Sequence, residues 1–196
     1  MAVAPSAPAE KALLRNQVLA ARAALAVADA QAASRMAALH FLRAVELCPA
    51  RAVALFWPLQ DEIDTKPLLR ALHELGVPTA LPRITGRSEP LRFHCWYSGE
   101  PLVAGPFRVQ EPPAGAPEIL PAVILTPLLA FDARGYRLGW GGGFYDRTIA
   151  MLRQAGHRPL CVGYAFACQE VGRVPTEPFD EPLDMVVTET GCRHIR

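Results

Sequence analysis

The sequence has almost no lysine: of its 20 basic residues only Lys11 and Lys66 are Lys, and against 19 acidic residues the formal net charge is +1. Without an excess of positive charge no global field holds nucleic acid or an acidic membrane surface, so any anion must be bound locally. No stretch reaches the uninterrupted apolar run of about 18 residues that a membrane span needs. Even the Ala-rich first fifth is broken by Arg22 and Asp29. The five cysteines, Cys48, Cys95, Cys161, Cys168 and Cys192, are odd in number and free of CxxC spacing. That argues against a disulfide scaffold or a zinc cage and leaves reduced thiols as the expectation. The five histidines form no metal spacing, and no Ser-centred nucleophile elbow occurs, so zinc and serine hydrolysis both lose weight. The opening MAVAPSAPAE lacks the basic and apolar regions of a secretory leader. A cytoplasmic protein is expected, with residues 1–10 as a mobile tail.

What the chain does have is apolar material, 51% of 196 residues, enough for one domain with a layered core and for a monomeric fold. From Ala9 to about Cys48 apolar positions recur at helical spacing, which predicts a helical hairpin with Asp29 as the cap of its second helix. Ala52 to Trp57 is a continuous apolar run too short for a helix, as in a strand buried on both faces, and Pro58 ends it. Asp64 or Thr65 can cap a helix with Pro67 in its first turn, Leu68, Leu69, Leu72 and Leu75 on one face and Gly76 as its stop. A strand from Val77 to Leu81 completes a parallel βαβ unit. Further strands are expected over Leu91–Tyr97, Ala122–Thr126, Leu160–Tyr164 and Met185–Thr188, and a helix over Phe144–Gln154. The Pro- and Gly-rich segment from Gly99 to Pro121 reads as loop bordering a site. The alternation predicts a single α/β domain, residues 11–196, with a mixed, largely parallel sheet between helical layers.

The most informative stretch runs from Thr126 to Arg147, between a strand end and a helix start, where open α/β sheets bind ligands. Gly139, Gly141, Gly142 and Gly143 remove side-chain bulk, so successive N–H groups can face a phosphate at the positive end of the next helix. Arg137 supplies a charge beside them. Asp146, in the first helical turn, is a candidate ligand for Mg²⁺ or a simple partner of the helix dipole. Asp180 is a candidate second oxygen ligand or a turn residue. Lys11, Arg15 and Arg22 share one side of a helix, either a solvated face or a phosphate clamp. Trp57, at the end of the first strand, either stacks on a flat ring or completes the core, and Glu62, beyond it, either accepts hydrogen bonds from a ligand or is an exposed carboxylate near a helix start.

The run Arg137-Leu-Gly-Trp-Gly-Gly-Gly-Phe-Tyr-Asp-Arg147 resembles the signature of the 5-formyltetrahydrofolate cyclo-ligase family. Lys11-xxx-Arg15, Asp61 to Thr65, Glu111-Pro112, Gln169, Pro175 to Asp180 and Thr188-Glu189 resemble family features in the expected order, so the likeness spans roughly residues 11 to 190. It implies a three-layer α/β/α fold, 5-formyltetrahydrofolate and ATP as substrates, Mg²⁺ as cofactor, and release of ADP and phosphate. It also implies that Lys11, Arg15, Arg137, Leu138, Gly139, Trp140, Gly141, Gly142, Gly143, Phe144 and Tyr145 contact ATP, with Lys11, Arg15 and Arg137 serving catalysis. Asp146 and Asp180 would hold the magnesium. Trp57, Glu62, Trp140 and the loop from Gly141 to Phe144 would meet the folate. Some relatives carry Lys where this chain has Gly142, and Trp140 stands where relatives often have Tyr or Arg. The alternatives are a folate- or nucleotide-binding module without turnover and a sugar-phosphate isomerase, which would need no ATP.

Overall fold

A computed structural model describes residues 7–195. Helices α1 (Ala7–Ala23) and α2 (Val27–Ala44) form the expected hairpin. The first begins inside the stretch expected as a tail, of which residues 1–6 lie outside the described range. Asp29 does not cap α2: the extended residue before the helix is Ala26, and Asp29 sits in the first turn, where its charge meets the helix dipole.

Regular pairing in β1 covers only Val53–Ala54, although burial continues from Ala52 to Phe56. Leu55 still donates to Ala80 O, after which the chain turns toward Pro58, which has no N–H to extend the ladder. Helix α3 (Lys66–Glu74) carries Pro67 in its first turn and buries Leu68, Leu69 and Leu72. Neither expected cap bonds to N2 or N3. Thr65 turns its hydroxyl to Phe56 O at 2.7 Å, pinning the helix start to the end of β1, and Asp64 Oδ1 accepts the N–H of Lys66. Leu75, expected on the buried face, is 56% exposed, because the helix has already ended and the chain is turning into left-handed Gly76.

Strand β2 (Thr79–Arg83) pairs parallel with β1, and β3 (Arg92–Cys95) pairs antiparallel with β2. The Gly99–Pro121 segment holds two short strands, β4 (Val103–Ala104) and β5 (Gln110–Glu111), around a 3₁₀ turn at Pro106–Arg108. Buried Glu111 anchors this segment to the sheet by accepting the N–H of Ile84. After β6 (Val123–Thr126) comes a hairpin that the sequence pattern did not announce, β7 (Ala130–Phe131) with β8 (Arg137–Leu138). Helix α4 (Phe144–Gln154), β9 (Leu160–Tyr164) and β10 (Met185–Thr188) match their expected bounds, and an unforeseen β11 (Gly191–His194) closes the edge.

The seven-stranded sheet runs β11-β10-β9-β6-β1-β2-β3, parallel within and antiparallel at both edges. Side chains alternate across it. Val53, Leu55, Val123 and Leu125 join Phe41 of α2 and Leu68, Leu69 and Leu72 of α3, whereas Ala54, Ala80 and Ile124 meet Leu152 of α4 on the opposite face. This is the expected three-layer α/β/α domain. Helix α1 instead packs Val18 against Leu129, Ala130 and Leu138 of the β7–β8 hairpin. No helix among the described residues is long and apolar enough to cross a membrane.

Candidate active site

From β1 the chain crosses through α3 to β2 on one side, and from β6 it crosses through α4 to β9 on the other. The direction of winding therefore reverses between β1 and β6, and the carboxyl ends of those two strands diverge to leave a crevice. Trp57 and Glu62 follow β1, and the hairpin with the glycine loop follows β6.

Buried Asp132 shapes that hairpin. Its carboxylate accepts the N–H groups of Arg134, Tyr136 and Val174 and the side chain of Arg134. Burial alone would raise its pKa, but these hydrogen bonds outweigh it and hold the carboxyl below its usual value. The return strand delivers Leu138, whose side chain is 1% exposed and packs with Val18, Leu129 and Val174. The side chain of Leu138, a residue expected to contact ATP, is a core anchor, since strand alternation turns it inward while its neighbour Gly139 opens the loop. Gly141 and Gly143 have φ of 98° and 65°, and Gly143 is the residue before the first turn of α4. The loop thus takes the left-handed backbone that glycine permits and ends at a helix N-terminus. Arg147 braces it from behind, donating to Gly142 O at 2.9 Å.

The basic face of α1 meets this loop. Arg15 donates through Nε to Gly139 O at 2.9 Å, with its Nη2 3.4 Å from the position a Cβ of Gly141 would take. Lys11 is buried and bridges Asp180 Oδ2 (2.8 Å) and Glu177 Oε2 (2.7 Å). Desolvation lowers the Lys11 pKa, but the hydrogen bonds and charges of Asp180 and Glu177 overcome it and leave it raised. Arg137 is buried too, and its guanidinium does not lie open beside the glycines as expected: it is engaged by Asp146 Oδ1 at 2.8 Å and by Glu181 O. Asp146 Oδ1 also accepts the N–H of Glu181, the residue after Asp180. Each candidate metal carboxylate thus holds a basic side chain through one oxygen, and Asp146 is tied to the segment that carries Asp180. The second oxygens, Asp146 Oδ2 and Asp180 Oδ1, have no protein partner among the described residues.

Across the crevice, Glu62 accepts the N–H of Leu59 at 3.0 Å and the indole N–H of Trp140 at 3.3 Å. Burial raises its pKa, opposed in part by these two donors and by the charge of Arg22. Burial and then the Glu62 charge raise the Tyr145 phenol well above its usual value, the Arg137 charge opposing, so it remains a neutral hydroxyl. Trp57 packs edge-on against Trp96 at 5.6 Å, and Trp140 is 52% exposed. Phe144 packs against Phe107 from the Gly99–Pro121 segment, at 6.0 Å between centroids. Phe107 also lines a cavity of about 390 Å³ with Ile84, Thr85, Gly86, Arg87 and Pro106. Sequence reasoning missed Asp132 and Glu177, whose roles depend on partners more than 40 and 160 residues away. It left Arg22 undecided between a solvated face and a clamp, and Arg22 is in fact buried.

Among the described residues no group of three or more His, Cys, Asp or Glu side chains is arranged to hold a metal by itself. The arrangement suits a phosphate-bearing ligand, with loop N–H groups, basic side chains and two carboxylate oxygens converging at a helix start.

The family model described as the 5-formyltetrahydrofolate cyclo-ligase family matches residues 7–189. The Escherichia coli 5-formyltetrahydrofolate cyclo-ligase is 37% identical over 172 residues, covering 85% of this chain and 93% of that one. The Haemophilus influenzae 5-formyltetrahydrofolate cyclo-ligase is 33% identical over 175 residues, covering 87% and 92%. The solution structure of an Aquifex aeolicus 5,10-methenyltetrahydrofolate synthetase superposes with a TM-score of 0.80 at 29% identity, over 95% of this chain and 93% of that one. With the signature loop at the switch point and a family match along nearly the whole chain, this protein is an enzyme of the 5-formyltetrahydrofolate cyclo-ligase family.

Proposed function

We propose that this chain converts 5-formyltetrahydrofolate to 5,10-methenyltetrahydrofolate with ATP and Mg²⁺, releasing ADP and phosphate. The observation that carries the reading is that the Gly139–Gly143 loop is held by Arg15 at Gly139 O and reaches across the crevice to Glu62 through the Trp140 indole. One side suits a polyphosphate and the other a flat, hydrogen-bonding ring.

The N5-formyl group is an amide, so its carbon is a weak electrophile and its oxygen a poor leaving group. In our reading the formyl oxygen attacks the γ-phosphorus, the bond from that phosphorus to the β–γ bridging oxygen breaks, and ADP departs. N10 then attacks the formyl carbon and loses its proton, and the C–O bond breaks to release phosphate. The methenyl bridge retains the positive charge.

No protein nucleophile is needed, because phosphoryl transfer depends mainly on alignment and charge compensation. Loop N–H groups and Arg15 hold phosphate oxygens in this scheme. Asp146 and Asp180 would hold Mg²⁺ through their free oxygens, with Lys11 and Arg137 beside them as the basic partners of the same carboxylates. Two carboxylates plus phosphate oxygens match the way Mg²⁺ is usually held, and when bound it supplies charge neutralisation of the phosphates. Glu62 and the exposed Trp140 orient the folate ring.

The test is growth of the methenyl absorbance band on mixing protein, 5-formyltetrahydrofolate, Mg²⁺ and ATP. Growth only with ATP is the expected result. Growth without ATP, or none despite folate binding, would overturn the reading.

A further inference from the structure

Arg22 is a buried cation that stacks on Trp140 and leaves two of its nitrogens without a hydrogen-bond acceptor among the described residues. Only 3% of it is exposed, and among the described residues its Nε and Nη1 have no hydrogen-bond acceptor. An ionised guanidinium in such a place is strongly unfavourable unless something supplies oxygen atoms to its donors. The guanidinium carbon sits 5.9 Å from the centre of the Trp140 ring, and the Trp140 indole in turn donates to Glu62.

Its place along α1 indicates which ligand provides the oxygen. Lys11 reaches the Asp180 carboxylate and Arg15 reaches Gly139 O, both at the phosphate side of the loop. Arg22 lies seven residues beyond Arg15, about 10 Å further along the helix axis, where it meets the Trp140 ring and its charge acts on Glu62. In the folate reading an acceptor there would come from the ring that meets Glu62 and Trp140, not from the nucleotide held at Lys11 and Arg15.

The chemistry of that ring fits the pair. A 2-amino-4-oxopteridine presents two adjacent donors, N3–H and the 2-amino group, followed by one acceptor, the 4-oxo oxygen. A carboxylate oxygen accepts more than one hydrogen bond, so Glu62 can take the donors while keeping Leu59 and Trp140. The neighbouring guanidinium then meets the oxo group. We infer that Arg22 is a substrate-binding residue that donates to the 4-oxo oxygen of the pteridine and so selects 4-oxo over 4-amino rings.

The inference rests on the folate reading above. Its test compares binding of 5-formyltetrahydrofolate and its 4-amino-4-deoxy analogue, by quenching of tryptophan fluorescence, to wild-type protein, Arg22→Lys and Arg22→Ala. Binding of ATP and thermal melting are measured alongside. Wild type should prefer the oxo compound by about tenfold or more, as expected when an acceptor facing a buried donor is replaced by another donor. Arg22→Ala should lose that preference by weakening the oxo compound alone, Arg22→Lys should fall between, and ATP affinity should hold.

A preference that survives both substitutions, or a loss in ATP affinity in place of folate affinity, overturns the inference. If neither variant folds, the wild-type comparison decides: equal binding of the two compounds overturns it and a clear preference supports it. Wild-type protein that binds neither compound overturns the folate reading as well. Wild-type turnover with an unchanged preference in the variants overturns the inference alone.

Discussion

Arg137 Nη2 lies 2.8 Å from Asp146 Oδ1, so the residue that opens the glycine loop is ion-paired to one just past its end. The arginine side chain is 5% exposed and also holds Glu181 O, which ties the loop to the segment carrying Asp180.

Asp146→Asn should therefore have two effects. Turnover should fall by roughly 100-fold, the scale of losing one charge-stabilising group at a reacting phosphate. Stability should fall by about 1–3 kcal/mol, because Arg137 loses its counter-charge while remaining buried. Steady-state kinetics and a denaturant titration measure the two. Unchanged Mg²⁺-dependent turnover would remove Asp146 from the metal site.

Glu62 should confer a pH dependence on folate binding. Burial raises its pKa above the usual 4.5, so it takes up its proton at a higher pH than an exposed glutamate. The charged form accepts the ligand's donors, and folate affinity should weaken as pH falls through that raised value. The unliganded protein behaves oppositely. A raised carboxyl stabilises the fold below its unfolded pKa and loses that contribution as pH rises through the folded one. Titration of folate affinity between about pH 4 and 7 should show the loss in wild type and a flat profile in Glu62→Gln. Matching profiles would exclude Glu62 from folate binding.

Lys11→Met removes the one ammonium shared by Asp180 and Glu177. The KM for ATP should rise by about tenfold, the worth of one charged hydrogen bond, with folate affinity unaffected. Because the Lys11 pKa is raised above 10.5, its contribution to stability is complete below that value and disappears as pH rises through the folded one. Alkaline unfolding should shift accordingly between wild type and variant, and an identical midpoint would contradict the ion-pair assignment.

Asp132→Ala should weaken the fold without touching ligand groups directly. Three backbone N–H groups and Arg134 lose their common acceptor at a site 1% exposed. A loss of about 3 kcal/mol is expected, lowering the melting temperature by roughly 6–12 °C. Calorimetry tests this, and a shift under about 2 °C would mean that the hairpin does not depend on the Asp132 turn.

Long, periodic or punctuated segments were legible in the sequence. Helix α4 and strands β9 and β10 match their expected bounds because their burial is continuous or helically spaced and flanked by Gly or Pro. The hairpin of β7 and β8 was not legible: its strands are two residues each, too short for any period, and Asp132 holds them through Val174, 42 residues away. Edge strand β11 was hidden because its four residues, Gly191 to His194, mix polar and small side chains.

Within the candidate site, the sequence by itself determined the residue types: four glycines in the loop that precedes α4, and charged residues at fixed offsets around them. It also determined that Lys11, Arg15 and Arg22 share one side of α1, since helical spacing is a local property. Only the tertiary structure decided which charge each of them meets. Lys11 is paired with Asp180 from 169 residues away, Arg137 is occupied by Asp146, Leu138 turns into the core, and Arg22 is buried against Trp140 with its Nε and Nη1 lacking an acceptor among the described residues. Those outcomes depend on how α1 packs over the hairpin between β6 and α4, and burial and long-range pairing are properties of that packing that no local spacing encodes.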